Sequence, residues 1–302
     1  MRATTTQGRE IDLKQDTFDG LKMRLRGPVF LLPGDVGYEE SRTVWNAMID
    51  RKPAAVARCL GSADVIAGVQ FARDNDILLC IKGGGHNIAG LATADGALML
   101  DLSLMRGVWV NPQSKVAHAQ AGCLLGDVDR ETQVHGLAAV LGFISLTGIA
   151  GLTLGGGFGY LTRRWGWTSD TVVGMDVVTT DARLVRASSD ENADLFWGLR
   201  GGGGNFGVVT GIDYKLYPVG PESVSPDVVE LAGADALIAR ARAHLDSGRP
   251  LQAIHLAEIV LHTDAADPGC RAVLKDAHTA LLADSVNFWE SAWLTAAITR
   301  YS

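Results

Sequence analysis

Apolar and polar positions along this chain switch between a helical and an alternating period, and the switches mark its elements. Up to about Asp35 the pattern is mixed and charged, with turn signals at Gly27-Pro28 and Pro33-Gly34-Asp35, and reads as a lead-in. From Tyr38 to Asp50 the spacing of Val44, Trp45, Met48 and Ile49 predicts a helix that Lys52-Pro53 ends. Ala54 to Leu60 is a short apolar run that suits a strand. Ser62 stands as an N-cap ahead of Val65, Ile66, Val69, Phe71 and Ala72 at mostly helical spacing, and Asp74-Asn75-Asp76 stops that helix. Ile77 to Ile81 then reads as a strand. Strand, helix and strand within roughly thirty residues is the βαβ pattern, and α/β folds place ligands at the C-terminal ends of such strands.

Further on, Ala97 to Leu102 and Val108 to Val110 predict short strands. Lys115 to Gln120 predicts another, in which Val116, His118 and Gln120 alternate with alanines. Leu125 to His135 has a helical pattern. Val172 to Thr179 and Leu184 to Ala187 predict a hairpin about Thr180-Asp181-Ala182-Arg183, followed by a short helix from Asn192, as its cap, to Leu199. Val208 to Tyr217 predicts a strand, and Pro218 to Pro226 a linker. Beyond it, Ala232 to Leu245 is helical in pattern, Ala253 to Leu261 is an apolar run read as a strand, and Arg271 to Ser302 is mostly helical. No internal repeat or low-complexity tract interrupts this order.

Composition changes the picture little. With 302 residues, 47% hydrophobic and 20% charged, the chain belongs among globular proteins and is long enough for two domains or one large α/β domain. A formal charge of −7 and the absence of a Lys/Arg-rich run argue against a nucleic-acid partner and for a small molecule. Cys59, Cys80, Cys123 and Cys270 show no metal or disulfide spacing and are expected as buried free thiols. The N-terminus lacks the apolar core of a secretory signal, so a cytoplasmic location is expected. Leu137 to Leu161 carries no charge and is long enough to cross a bilayer, but it holds seven glycines, a poor composition for a helix. A ligand-facing loop system is expected there, with no membrane partner.

The candidate chemistry lies in three glycine runs, Gly83-Gly84-Gly85, Gly155-Gly156-Gly157 and Gly201 to Gly204. Glycine triplets let the backbone approach a ligand closely and leave N–H groups free for an anion, and three such places suit an extended ligand. His86 follows the first run directly, which sets its imidazole at the edge of whatever the loop holds. The other six histidines are isolated and are read as structural or solvated. No glycine run is followed by the Lys-Ser/Thr pair of a Walker loop, so NTP hydrolysis is not expected. Gly202, Gly204 and Gly207 match the letters of a dinucleotide fingerprint, but they follow a helix and enter a strand, the reverse of its context. Metal-ligand spacing and a G-x-S-x-G elbow are both lacking.

Three ordered motifs carry a family resemblance: Lys82-Gly83-Gly84-Gly85-His86, the segment from Leu146 to Gly159, and the segment from Asp194 to Thr210. With Pro33-Gly34-Asp35 and Val44-Trp45-Asn46, they make residues 21 to 221 resemble the FAD-linked oxidases of the berberine bridge enzyme-like group. The resemblance implies an α+β chain built from α/β elements. In it, a PCMH-type FAD-binding domain at 1–220, with subdomains at about 21–95 and 96–220, precedes an incomplete α+β substrate domain at 221–302. It implies that Gly83 to Asn87, with Gly84, Gly85 and His86 between them, hold the FAD pyrophosphate by backbone N–H groups, that Lys82 also belongs to the cofactor site, and that His86 is joined to the flavin 8α-methyl carbon. Gly148, Ile149, Gly151, Gly155, Gly156 and Gly157 would line the isoalloxazine and ADP portions, with Val208 and Val209 near the ring. An imidazole nitrogen suits the electron-poor 8α position, and the bond raises the flavin potential.

The implied reaction is oxidation of an alcohol, sugar or amine-type molecule by hydride transfer to flavin N5, with dioxygen as a candidate acceptor. Members with a second, cysteinyl flavin bond carry a cysteine where this chain has Ile144, so that bond is not expected, and Cys123 is read as structural. Ile149 falls at a position that governs oxygen access. Family members continue past this length and take their catalytic base from the later half, so no catalytic residue is assigned. The alternative is a truncated, non-catalytic flavin-binding remnant.

Overall fold

The chain enters its fold through an antiparallel ribbon of β1 (Arg2–Thr4) and β2 (Glu10–Asp12), then helix α1 (Gln15–Lys22) and the short strand β3 (Phe30–Leu31). These elements are seen in a computed structural model that describes residues 2–26, 30–218, 225–286 and 288–302. The turn expected at Gly27-Pro28 and the middle of the linker expected over Pro218 to Pro226 lie outside the described residues. Two units divide the chain, Met1–Tyr217 and Pro218–Ser302.

The helix expected from Tyr38 to Asp50 is shorter, α2 (Tyr38–Arg42), because Thr43 turns extended at φ −68° and ψ 138°. The residues after it serve tertiary contacts instead. Trp45 N–H donates to the Gly85 carbonyl at 3.0 Å, Asn46 Nδ2 to the Ile88 carbonyl at 2.8 Å, and the Arg51 guanidinium to the Gly90 and Thr93 carbonyls at 2.9 and 3.0 Å.

The βαβ pattern becomes β4 (Ala55–Arg58), α3 (Ser62–Asp74) and β5 (Leu79–Lys82). With β6 (Leu98–Asp101) they build a four-stranded sheet in the order β3-β4-β6-β5, parallel except for β3. Since β6 lies between β4 and β5, this sheet runs past residue 95. Ser62 is not the N-cap of α3; Gly61 is, without a side-chain cap bond. Asp64 does the equivalent work, its carboxylate accepting from the Leu60 and Arg26 backbone N–H groups at 2.8 and 2.9 Å.

The second sheet is antiparallel throughout, in the order β11-β10-β12-β8-β7. Its strands are β7 (Val108–Asn111), β8 (Val116–Gln120), β10 (Val172–Val178), β11 (Leu184–Ser188) and β12 (Val208–Lys215). Between β8 and β10 run α4 (Leu125–Gln133), β9 (Leu137–Ala138), α5 (Ile149–Leu154), α6 (Thr162–Trp165) and a 3₁₀ turn, Thr168–Thr171. Helix α7 (Ala193–Leu199) precedes β12, and β13 (Tyr217–Pro218) follows it. Asn192 is the N-cap of α7, yet its side chain makes no cap bond and donates to the Arg186 carbonyl at 2.6 Å. No described helix is long and apolar enough to cross a membrane.

The alternation read in β8 holds, with Ala117 and Ala119 fully buried and His118 on the opposite face. There His118 Nδ1 pairs with Asp213 Oδ1 at 2.6 Å, and Arg186 bonds both Asp213 and Asp176. The bond to Asp213 holds the His118 pKa above its usual value. Against the desolvation that would raise it, bonds from His118 and Arg186 hold the Asp213 carboxyl below its usual value. The His118 contribution is therefore complete below about pH 6.5 and fades as pH rises through its raised folded pKa. That of Asp213 is complete above about pH 4 and fades on acidification. We expect His118→Gln to flatten the fall in Tm on the alkaline side of pH 6.5; thermal melts across pH check this, and identical profiles would refute it.

In Pro218–Ser302, α8 (Ser225–Ala232), α9 (Ala234–Asp246), α10 (Pro250–Leu261), α11 (Pro268–Asp284) and α12 (Phe288–Tyr301) follow one another. The apolar run from Ala253 to Leu261, expected as a strand, lies in α10. Its buried residues Ala253, Ile254, Ala257 and Val260 fall on one helical stripe, and Pro250 occupies its first turn. They pack with Leu237, Ala241, Cys270, Val273, Leu274 and Ala277 as the core of this unit.

Candidate functional site

A cavity of about 660 Å³ opens where the two sheets of the first unit meet the glycine loops, a size within the range of roughly 300–1,000 Å³ common for small-molecule and cofactor sites. Strand β5 delivers the first wall: Leu79, Cys80 and Ile81 line the cavity, and the chain then leaves the sheet as Gly83 to Asn87. Thr147, Gly148, Ala150, Gly151, Leu152, Leu154 and Gly155, in and around α5, form a second wall. Gly203, Gly204, Asn205 and Gly207, with Val208 and Val209 at the start of β12, form a third.

The first two walls touch backbone to backbone. A Cβ on Gly84 would lie 2.4 Å from Gly148 N, and one on Gly148 would lie 2.4 Å from Gly84 N, so each position admits only glycine without displacement. Gly85, at φ +69°, then turns the loop through a conformation that costs other residues energy.

Among the described residues, none of the five backbone N–H groups from Gly83 to Asn87 has a hydrogen-bond acceptor. Their strand has ended and no helix has begun, so neither ladder nor turn satisfies them. Among the described residues, no Lys, Arg, Asp or Glu side chain lines the cavity. An anion here is therefore received by oriented backbone dipoles, while aliphatic groups such as Ile81, Leu152, Val208 and Val209 offer contacts to apolar rings.

His86 sits at the edge of this loop. Its Nδ1 lies 2.9 Å from the Gly84 carbonyl. A carbonyl only accepts, so Nδ1 carries the proton and, in the uncharged ring, Nε2 keeps its lone pair. The ring stacks on Trp45 with centroids 5.9 Å apart and planes 23° from parallel. Cys80 is the other titratable side chain in the lining, and burial pushes its thiol up to about 12, so it stays protonated and unreactive. All four cysteines are free and buried.

Of the residues singled out from the sequence, Gly83, Gly84, Gly85, His86, Asn87, Gly148, Gly151, Gly155, Val208 and Val209 line this one cavity. Four others do not. Lys82 turns away and its Nζ donates to the Ser41 carbonyl at 2.6 Å, with burial lowering its pKa. Ile149 is wholly buried in the core. The Gly156 and Gly157 carbonyls accept from Ser169 and Thr168 N–H, each at 2.9 Å, and hold the 3₁₀ turn in place. Thr147, Leu91, Ala92, Gly203, Gly204, Asn205 and Gly207 also line the cavity, beyond the site residues expected from the sequence. The last four carried a visible signal, a glycine run entering a strand; Leu91 and Ala92 carried none.

Known proteins share the sequence and fold of the first unit. An FAD binding domain family matches residues 53–188. The (R)-6-hydroxynicotine oxidase of Paenarthrobacter nicotinovorans is 37% identical over 217 residues, covering 70% of this chain and 47% of that protein. The glucooligosaccharide oxidase of Sarocladium strictum is 38% identical over 192 residues, covering 63% and 38%. Among solved structures, 6-hydroxy-D-nicotine oxidase from Arthrobacter nicotinovorans superposes with a TM-score of 0.63 at 38% identity, over 64% of this chain and 43% of that one. The chain thus spans less than half the length of these relatives.

Proposed function

This chain belongs to the FAD-linked oxidases through its FAD-binding domain, and from that premise we propose that Met1–Tyr217 binds FAD in the glycine-walled cavity. The reading extends to an oxidoreductase acting on a small molecule, with Pro218–Ser302 assigned to its substrate region. The observation that carries it is the row of five N–H groups from Gly83 to Asn87, lacking acceptors among the described residues, in a cavity lined by no acidic or basic side chain except His86. Donors so arranged fit a pyrophosphate.

Bound there, FAD supplies a two-electron acceptor for hydride from the substrate carbon. The chain's own residues do the rest. The N–H groups of Gly83 to Asn87 would hold the pyrophosphate, the aliphatic walls would exclude water from the ring, and His86 would bond the 8α carbon through Nε2. Such a bond would replace one 8α hydrogen, and its two-electron oxidation would draw on dioxygen as the acceptor. The relatives' substrates point to two candidate classes, hydroxylated N-heterocyclic amines and oligosaccharides.

A second reading, a flavin-binding unit without turnover, is favoured by one observation: besides His86, the lining offers only the protonated Cys80 as a titratable group, and hence no base. One experiment separates the two. The purified chain, loaded with FAD and freed of excess, is expected to keep the flavin spectrum, and anaerobic 6-hydroxynicotine or a glucooligosaccharide to bleach its visible band. Retained flavin that neither substrate bleaches supports the second reading; a colourless chain defeats both.

A further inference from the structure

We propose that Trp45 is the positioning residue that sets the orientation of the His86 ring, and that the segment from Thr43 to Arg51 is a strap built to carry it there. Two constraints act on the imidazole. The Gly84 carbonyl accepts from Nδ1 at 2.9 Å, and the Trp45 indole lies against one face with planes 23° apart. A hydrogen bond alone leaves the ring free to pivot about the bonded nitrogen; a stacked neighbour removes that pivot by fixing the plane. Stacking engages the π face and leaves the in-plane lone pair of Nε2 out of that contact.

The strap explains how an indole that is 64% exposed keeps its place. It is tied on both sides of the ring contact by bonds that do not involve the indole. Trp45 N–H donates to the Gly85 carbonyl, Asn46 to the Ile88 carbonyl, and Arg51 to the carbonyls of Gly90 and Thr93. The strap thus grips the loop on which His86 rides, and joins the ring to its partner through the backbone as well as through the stack. Holding a reacting group near its productive orientation is what a supporting shell contributes to rate. The effect on attachment rests on the reading of His86 as the flavin-joined residue; the effect on ring orientation does not.

Because the strap's bonds are made by the backbone and by Asn46 and Arg51, changing the indole leaves the strap seated. The test uses Trp45→Leu and Trp45→Phe in the full chain, the second keeping an aromatic face. First, cross-relaxation between the His86 ring protons and their neighbours, in flavin-free protein from a riboflavin-starved auxotroph, reports the orientation of the ring. Wild type and Trp45→Phe are expected to show a single orientation, and Trp45→Leu an average over several, with the proton on Nδ1 in all three because the Gly84 carbonyl is retained. Second, after addition of FAD in air, acid-stable flavin is expected to form roughly tenfold more slowly in Trp45→Leu and within about twofold of wild type in Trp45→Phe, with reversible FAD affinity little changed. An unchanged ring orientation in Trp45→Leu overturns the proposal, as does a slowing matched by an equal loss of affinity. If wild type forms no acid-stable flavin while the change of orientation appears, the covalent reading fails and the role of Trp45 stands.

Discussion

Gly84→Ala is expected to abolish useful FAD binding and to lower the melting temperature. The added methyl would sit 2.4 Å from Gly148 N and 2.6 Å from its Cα, and both are main-chain atoms that cannot swing aside as a side chain would. The two walls must part, at a cost of roughly 1–3 kcal/mol for overpacking. That displacement falls on the loop whose N–H groups face the cavity, so FAD affinity should drop about 100-fold or more. Gly148→Ala makes the same collision from the other side and should behave alike. The double variant should cost less than the sum of the singles, since walls already parted by one methyl accommodate the second. FAD titration and thermal melts of the three variants check this, and wild-type affinity in either single variant would refute the contact.

His86→Ala is expected to split two functions that the loop combines. The five N–H donors belong to the backbone and survive the change, so reversible FAD binding should persist within about tenfold of wild type, the scale of one lost contact. Acid-stable flavin should vanish altogether, because no other unprotonated nucleophile lines the cavity: Cys80 remains a thiol and Lys82 points to Ser41. Acid-precipitated wild type should stay yellow and the variant colourless. A yellow variant pellet would move the bond to another residue, and complete loss of FAD would make His86 an anchor of the cofactor.

How much of this was legible depends on how local the cause was. The β4-α3-β5 unit was readable because its periods change over short windows and its glycine loop begins where β5 ends. Ala253 to Leu261 was misread because an unbroken apolar run is compatible with a strand or with a buried helix. Its character is set by the neighbouring helices, against which Ala253, Ala257 and Val260 form a stripe. Tyr38 to Asp50 shows the opposite failure. Its spacing favours a helix, but the bonds of Trp45, Asn46 and Arg51 to the loop from Gly85 to Thr93 outweigh the few turns of helix they replace.

The site divides the same way. The sequence by itself determined that three glycine runs would bring backbone close to a ligand and that His86 would stand beside the first, because both follow from residue type and adjacency. Only the tertiary structure decided which glycines face the cavity. It turned Gly156, Gly157 and Lys82 away, locked Gly84 against Gly148, and laid Trp45 over His86. Those outcomes depend on how segments far apart in the chain pack, and packing distance leaves no trace in local spacing.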